Sequence, residues 1–295
     1  MSETPHTAEA LLTIENLNVI YHAATRVHAV KDVSLTVRRG EILGLAGESG
    51  CGKSTLAYGI NQLLKPPAVI ENGAVTFHDA SGSDIDVLAL SGERLRSYRW
   101  DKTSMVFQGA MNSLNPVLSV QDQIEDVLTT HRPKMKRAER RDRIRHLVEL
   151  VGVSADRMRA YPHELSGGMR QRVMIAMALA LNPQLMIMDE PTTALDVVVQ
   201  REILGEIQRL RDEFGFAVIF ITHDLPMLLE ISDRIAVMLA GEIVELATAE
   251  KIYADADHPY TRKLLKSFPS LTGARGDFIR TGESINSSTT TAGAI

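Results

Sequence analysis

The chain has 295 residues, a hydrophobic content of 44%, a charged content of 23% and a formal net charge of −5. These values are typical of an ordinary globular protein of one large or two small domains, and the net charge gives no case for general nucleic-acid binding. The single cysteine, Cys51, excludes an intramolecular disulfide and fits a reducing, cytoplasmic setting, and no apolar run approaches the roughly 20 residues of a membrane-spanning helix.

The first regular patterns along the chain predict strands. Residues 1–10 are polar and lack the regions of a signal peptide, so we expect a flexible N-terminus. Alternating apolar and polar residues predict strands at 11–20 and 27–37, and the apolar run 41–46 predicts a buried strand. A helix is predicted to follow at residues 53–64.

Residues 47–55, between that strand and that helix, match the phosphate-binding pattern G-x-x-x-x-G-K-[ST]. Glycines let the backbone turn its N–H groups inward, and the helix N-terminus adds partial positive charge. Lys53 supplies a full charge for the β- and γ-phosphates, and the Ser54 hydroxyl is suited to Mg²⁺. We interpret Cys51 as a small residue that contributes its backbone N–H, with a redox switch as the alternative. The residues predicted to bind the nucleotide here are Gly47, Ser49, Gly50, Cys51, Gly52, Lys53, Ser54 and Thr55.

Short elements are predicted next. Turn-forming residues occur at 66–67 and 72–73, a short strand is predicted at 74–77, and residues 79–86 are predicted to form a polar loop. Ser91 is a candidate N-cap for a helix that ends near residue 99.

Helices dominate the middle of the chain. After a predicted strand at residues 103–107, residues 119–152 have helical periodicity. Residues 132–145 are strongly basic; we interpret them as a solvated helix face, with a contact to anionic lipid or an acidic partner as the alternative. A further helix is predicted at residues 166–181, with Ser166 as its N-cap.

Strands and helices alternate through the rest of the chain. The predicted elements are a strand at 185–188, a helix at 197–214, a strand at 217–222, a helix ending at 231 and a hairpin of 234–239 with 242–246. This alternation predicts an α/β fold, in which helices cover a mostly parallel sheet. The early strands are expected to be antiparallel and residues 110–165 all-helical, while residues 271–295 are expected to be largely disordered.

Asp189 and Glu190 directly follow the predicted strand at 185–188. In α/β sheets, ligands bind at the carboxyl ends of strands. Asp189 is therefore suited to hold Mg²⁺ through its water shell, and Glu190 to polarise a water for in-line attack on a γ-phosphate. An isolated Asp-Glu pair is also compatible with a solvated strand end, but the phosphate loop in the same chain favours the functional interpretation.

Residues 165–172, Leu-Ser-Gly-Gly-Met-Arg-Gln-Arg, form a second anion-binding pattern at a helix N-terminus. The segment resembles the LSGGQ signature of ABC transporter ATP-binding subunits, with Met169 in place of Gln. The resemblance implies a P-loop NTPase cassette with an antiparallel β subdomain and a helical subdomain. It also implies that the signature and the D-loop of one subunit meet the ATP of another. The residues in question are Ser166, Gly167, Gly168, Met169 and Asp196.

The resemblance also assigns roles around the nucleotide. Tyr21 is similar to the aromatic residue that stacks on adenine, with an ordinary strand tyrosine as the alternative. Gln108 resembles the Q-loop glutamine, which touches Mg²⁺ or the attacking water, and His223 resembles the switch histidine at the γ-phosphate. Gln108, Glu190 and His223 are thus the expected catalytic residues, and Ser54, Gln108 and Asp189 the expected Mg²⁺ group, with ATP and Mg²⁺ as cofactors.

Two segments resemble the oligopeptide/dipeptide importer subfamily, whose members work as pairs of non-identical ATPase subunits. They are residues 105–116, where Gly109-Ala110 replaces the more usual Asp-Pro, and residues 258–269, which are similar to the first subunit of the pair. The cassette is expected to span residues 11–270, with a C-terminal extension at 247–270. With Cys51 alone, no iron–sulfur cluster of the kind some members carry is expected.

The resemblance therefore predicts an ATPase subunit on the cytoplasmic face of the cell membrane. Its expected partners are a second ATPase subunit, two permeases and an external solute-binding protein, but no nucleic acid. The expected cargo is a di- or oligopeptide, with an oligosaccharide, nickel or another small solute as alternatives. A soluble ABC ATPase acting on nucleic acid or ribosomes and a non-hydrolysing regulatory subunit remain the rival classes; the intact Glu190 and His223 argue against the latter.

Overall fold

The computed structural model describes residues 9–109, 113–193 and 195–267. The strands are β1 (Ala10–His22), β2 (Arg26–Arg38), β3 (Ile42–Ala46), β4 (Ala68–His78), β5 (Asp84–Asp86), β6 (Thr103–Val106), β7 (Leu185–Asp189), β8 (Ala217–Ile221), β9 (Arg234–Leu239) and β10 (Glu242–Thr248). The α-helices are α1 (Lys53–Ile60), α2 (Gly92–Ser97), α3 (Val120–His131), α4 (Arg137–Leu150), α5 (Gly167–Ala178), α6 (Val197–Phe214), α7 (Leu225–Ile231), α8 (Ala249–Asp255) and α9 (Pro259–Lys266).

A six-stranded sheet in the order β10-β9-β3-β8-β7-β6 forms the centre of the fold. Its strands are parallel except for β10, which pairs antiparallel with β9. Strands β3, β7 and β8 are buried along their whole length, as expected for a parallel sheet covered on both faces. Their carboxyl ends lie along one edge, so the segments that follow these strands meet there. The predicted α/β fold class is confirmed.

The two faces of the sheet contribute to different apolar cores. Along β7, Leu185 and Ile187 pack with strands β1, β2 and β4 and with α1. Met186 and Met188 pack with the helices on the opposite face of the six-stranded sheet. This period of two follows from the alternation of side chains along a strand. The helices beside the second face include α3, α4 and α5, which pack on one another.

A four-stranded antiparallel sheet, in the order β2-β1-β4-β5, covers the face of the six-stranded sheet on which Leu185 and Ile187 lie. Two predictions were wrong here. The residues 72–73 do not form a turn but lie inside β4, where a Cβ on Gly73 would stand 2.5 Å from Leu17 Cα of the neighbouring strand. Glycine therefore permits a close strand approach rather than a reversal. The predicted polar loop 79–86 contains the edge strand β5, because Asp84 and Asp86 pair with β4.

The long helical stretch predicted at 119–152 is two helices, α3 and α4, because Pro133 in the connecting segment cannot continue a helix. Ser91 precedes α2 but makes no side-chain capping bond, and a π-helical turn, Tyr98–Lys102, replaces the expected end of that helix. Basic residues of this region make specific contacts: Arg143, for example, donates to the carbonyl oxygens of Leu179 and Ala180. The basic stretch is therefore only partly a solvated face.

The C-terminal segment packs back onto the main sheet. Helix α8 contacts β9, β10 and α7, and α9 also contacts α7. No helix in the described ranges has the length and apolar character needed to cross a membrane. The expected N-terminal residues 1–8, the expected tail 271–295, Ala110 and Ala194 lie outside the described residues.

Candidate nucleotide-binding site

The predicted phosphate loop connects β3 to α1 as expected. Gly52 has a φ of 111°, and a Cβ there would lie 2.2 Å from the carbonyl oxygen of Ala29, so only glycine fits. The backbone N–H of Gly241, in the turn between β9 and β10, donates to the carbonyl oxygen of Cys51 at 3.0 Å. The loop is therefore held by the neighbouring strands as well as by its own sequence.

Lys53 is only 6% exposed, and its ammonium group is held by the loop backbone. Nζ donates to the carbonyl oxygens of Gly47 at 2.7 Å and Glu48 at 2.9 Å. A buried ammonium group needs such acceptors. The arrangement places a positive charge within a loop whose geometry suits phosphate.

Ser54 and Asp189 meet across the same edge of the sheet. The Ser54 hydroxyl donates to Asp189 Oδ1 at 3.0 Å. Asp189 is fully buried, and its Oδ2 has no hydrogen-bond partner among the described residues. Burial raises the pKa of Asp189 above its ordinary value and nearby Glu190 adds to the rise, while the Ser54 bond and the Lys53 charge lower it.

This pair fits a hydrated Mg²⁺ ion. A buried carboxylate oxygen without a partner calls for an unseen water or ion. No group of three or more His, Cys, Asp or Glu residues suited to a metal occurs within the described ranges. Mg²⁺ does not need one, because it keeps several waters and takes its remaining ligands from one or two protein groups and phosphate oxygens.

Two of the three predicted catalytic residues, Gln108 and His223, contact the third, Glu190. Glu190 Oε2 accepts from Gln108 Nε2 at 3.2 Å, and Glu190 Oε1 lies 3.1 Å from His223 Nδ1. Thr193 also donates to Oε2, at 3.1 Å. The carboxylate is thereby oriented from three directions. Glu190 and His223 follow the adjacent strands β7 and β8, which explains how residues far apart in sequence meet.

The backbone of Glu190 adopts an unusual conformation. Its φ is 46°, in the left-handed region that non-glycine residues seldom enter. Its N–H donates to the carbonyl oxygen of Ile221 at 2.9 Å, which fixes this turn to the end of β8. Such strain persists where the surroundings enforce it, and it occurs often at functional sites.

Tyr21 on β1 lies beside the first turn of α1. Its hydroxyl is 3.2 Å from Thr55 Oγ1, and its side chain is partly buried. The two residues therefore form one side of the phosphate-loop region. Tyr21 therefore lies next to the loop, as the adenine interpretation requires.

The predicted signature residues are at the start of α5, and Ser166 is confirmed as the N-cap, accepting from Met169 N at 3.2 Å. A Cβ on Gly168 would meet Val199 of α6 at 2.7 Å, so the signature lies against the helix that Asp196 caps. Within the described part of the chain, no hydrogen bond or ion pair joins residues 165–172 to residues 47–55. Within one chain, the Ser54–Asp189 bond joins the loop to the strand that leads into Glu190, whereas the signature residues begin a different helix, α5.

The structure adds a residue to which the sequence assigned no role. The hydroxyl of Tyr260, on α9, accepts from the backbone N–H of Glu48 in the phosphate loop at 3.1 Å. The only sequence signal was the His-Pro-Tyr segment itself, which pointed to a subfamily and not to a contact.

Comparison with known proteins agrees with this geometry. The ABC transporter family model matches residues 30–193, and the model for the oligopeptide/dipeptide transporter C-terminal region matches residues 244–293. A peptide import ATP-binding protein of Brucella ovis is 43% identical over 282 residues, which cover 94% of this chain and 83% of the relative. The dipeptide transport ATP-binding protein DppD of Bacillus subtilis is 40% identical, over 89% of this chain and 78% of its own.

Solved structures show the same architecture. The ATP-binding cassette MJ0796, solved as a dimer in a post-hydrolysis state with ADP and Pi, is 30% identical and has a TM-score of 0.69, covering 81% of this chain and 99% of its own. The cbiO1 protein of Clostridium perfringens, part of an ABC transporter complex, is 28% identical with a TM-score of 0.71, covering 88% and 96%. With these matches over most of its length, the chain belongs to the ABC transporter family as an ATP-binding, ATP-hydrolysing subunit.

Proposed function

We propose that this chain binds ATP between its phosphate loop and a second ATPase subunit, and that hydrolysis powers the uptake of di- or oligopeptides. The observation that carries the hydrolytic part is the contact of Gln108 and His223 with Glu190, next to the Ser54–Asp189 pair. The peptide part is supported by the C-terminal match and by relatives named for peptide and dipeptide transport.

Each residue of the cluster has a distinct task in this proposal. Lys53 and the loop N–H groups hold the phosphates, and Tyr21 stacks on the adenine ring. Glu190 accepts the proton of the attacking water, and Gln108 and His223 keep the Glu190 carboxylate oriented toward that water. Ser54 and Asp189 would hold Mg²⁺, Asp189 through water, and the ion would neutralise charge on the phosphates.

The signature begins α5 and makes no hydrogen bond to the phosphate loop among the described residues, as expected for a site shared between two subunits. Ser166, Gly167, Gly168 and Met169 would contact the ATP held by the partner subunit, with Asp196 at the same interface. The dimeric cassette that this chain resembles is consistent with this arrangement. We propose a non-identical partner, because the chain resembles the first subunit of a pair.

A groove beside the catalytic cluster is suited to the permease partners. It has a volume of about 280 Å³, lies between the π-helical turn, β6 and α5, and is lined largely by apolar side chains that include Trp100, Phe107 and Met174. Phe107 directly precedes Gln108, which contacts Glu190. A permease segment bound in this groove would contact Phe107 and would thereby be coupled to Gln108 at the hydrolytic site. It would also hold the chain at the cytoplasmic face of the membrane.

We further propose the division of the chain. The cassette spans residues 11–270, with a helical subdomain at about 110–165 and an importer-type extension at about 247–270. The external solute-binding protein would select the cargo.

The test is a Glu190→Gln variant in the reconstituted transporter, with the partner subunit's own site silenced. We expect turnover to fall by about 10²–10⁴ while ATP binding is kept, because the amide cannot accept the proton. Glu213→Gln, which alters an exposed ion pair with Arg209, is the matched control and should change neither. Hydrolysis at the wild-type rate in Glu190→Gln would exclude the role of Glu190.

A further inference from the structure

One side chain connects the C-terminal segment to the phosphate loop. Tyr260 Oη accepts a hydrogen bond from the backbone N–H of Glu48, with an N···O distance of 3.1 Å and 212 positions between the two residues. Tyr260 is partly buried, and burial raises the pKa of its phenol. The hydroxyl is therefore a neutral acceptor at physiological pH, directed at the loop.

The peptide that Tyr260 holds is the one that also holds Lys53. A peptide unit is planar, with its N–H and C=O groups on opposite sides. In the unit that joins Gly47 to Glu48, the carbonyl oxygen accepts from Lys53 Nζ at 2.7 Å and the N–H donates to Tyr260. Rotation of this peptide would break both bonds together. Tyr260 thus fixes the plane that places the Lys53 ammonium group.

The position of Tyr260 is itself determined by specific contacts. The carboxylate of Glu245, on β10, accepts from the N–H groups of Asp257 at 2.7 Å and His258 at 3.0 Å. His258 then caps α9, since its Nδ1 accepts from Tyr260 N at 3.2 Å. Glu245 is buried, whereas Asp257 is exposed, so these bonds are partly shielded from water. The sheet therefore fixes the start of the helix that carries Tyr260.

Helix α9 also contacts α7, the helix that begins after His223 and Asp224. The C-terminal segment therefore touches both the loop that holds Lys53 and the element that follows His223. The C-terminal segment therefore contacts elements on two sides of the proposed site.

We propose that Tyr260 is a positioning residue for Lys53, through which the C-terminal segment sets the affinity of the phosphate loop for ATP. The inference rests on the proposed role of Lys53 in holding phosphate. If so, the C-terminal segment is part of the nucleotide site and not only a feature that identifies the subfamily. Its effect falls on binding, because Tyr260 acts on the loop and not on Glu190.

The experiment titrates the full-length chain with a fluorescent ATP analogue and measures KM and kcat in the assembled ATPase. Tyr260→Phe should raise Kd and KM about three- to tenfold, as expected for the loss of one net hydrogen bond, with kcat nearly unchanged. Tyr161→Phe, which keeps the ring stacked on His163, is the matched control and should leave both constants unchanged. Thermal unfolding of each variant checks that it is folded.

A second variant keeps the inference testable if Tyr260→Phe does not fold. Glu245→Gln loosens the support of α9 and should raise Kd in the same direction. The double variant should bind no more weakly than the weaker-binding single variant, since both act through one bond. A Kd for Tyr260→Phe equal to that of Tyr161→Phe, or additive effects in the double variant, would overturn the inference.

Lys53→Ala separates the inference from the function beneath it. If Lys53→Ala loses binding while Tyr260→Phe does not, only the role of Tyr260 is wrong. If Lys53→Ala binds the analogue like the wild type, the proposed role of the loop lysine is wrong, and the inference with it.

Discussion

Replacing Asp189 by Asn should stabilise the protein while removing its response to Mg²⁺ and ATP. Asp189 is fully buried, and only one of its oxygens has a hydrogen-bond partner among the described residues. A buried charged oxygen without a partner costs about 1–3 kcal/mol, part of which the Ser54 bond and the Lys53 charge offset. Asn keeps the oxygen that accepts from Ser54 and removes the charge, while its amide N–H groups replace the unpartnered Oδ2 and offset part of the gain. We expect a net gain of about 1 kcal/mol.

That gain should depend on pH in a defined direction. Burial raises the pKa of Asp189 in the folded chain above its unfolded value, so the folded state binds this proton more tightly. The wild type therefore loses stability as pH rises through the unfolded-state and then the folded-state pKa of Asp189, and the variant does not. The advantage of Asp189→Asn should be greatest above the pKa of Asp189 in the folded state and should vanish as pH falls toward the unfolded value of about 4.

The assay is thermal unfolding of both proteins with EDTA and then with Mg²⁺ and ATP. A gain of about 1 kcal/mol corresponds to a rise in Tm of about 2–4 °C for a chain of roughly this size. Mg²⁺ with ATP should raise the Tm of the wild type but not that of the variant. Asp126→Asn, at an exposed position on α3, is the control and should stay within about 0.5 kcal/mol of the wild type. A variant less stable than the wild type in EDTA at neutral pH would refute the reasoning.

The remaining predictions concern the loop and the signature. Gly52→Ala should abolish binding of a fluorescent ATP analogue, because the new Cβ would lie 2.2 Å from the Ala29 carbonyl oxygen. A Cβ at Gly50 would have no atom within 4 Å, so Gly50→Ala carries only the cost of its positive φ. Gly50→Ala should therefore bind the analogue more tightly than Gly52→Ala. Ser166→Ala should cost about 1 kcal/mol of stability as a lost N-cap, keep ATP binding by the single chain, and abolish hydrolysis by the assembled pair. Ser119→Ala removes an equivalent cap from α3 and should cost similar stability without loss of hydrolysis; equal ATPase activity in the two variants would contradict a signature role for Ser166.

Local patterns predicted most elements because their determinants lie within the elements. The helix predicted at residues 197–214 is α6 with the same bounds, since Asp196 caps its start and Gly215 ends it in the left-handed conformation. The fully apolar runs became the buried strands β3, β7 and β8 for the reason assumed: both faces of a parallel sheet are covered.

The errors occurred where a distant contact outweighed a local preference. The residues 72–73 have the composition of a turn, but Asn72 lies opposite Asn18 of β1. The Asn18 side-chain amide donates a hydrogen bond to the Asn72 side-chain oxygen, which fixes Asn72 in β4. The acidic residues Asp84 and Asp86 resemble loop residues, yet the free edge of β4 offers them backbone partners. Neither neighbour is visible in the local sequence.

For the site, the sequence by itself determined the identity of the chemical groups: a lysine in a glycine loop, carboxylates after one strand and a histidine after another. Only the tertiary structure decided their arrangement. The order of strands β3, β8 and β7 brings Glu190 and His223 within 3.1 Å, and the packing of α9 brings Tyr260 to the phosphate loop. The physical reason is that residue type and local spacing fix what a segment can bond to, whereas strand order and helix packing decide which partner, here 33 to 212 positions away, is within bonding distance.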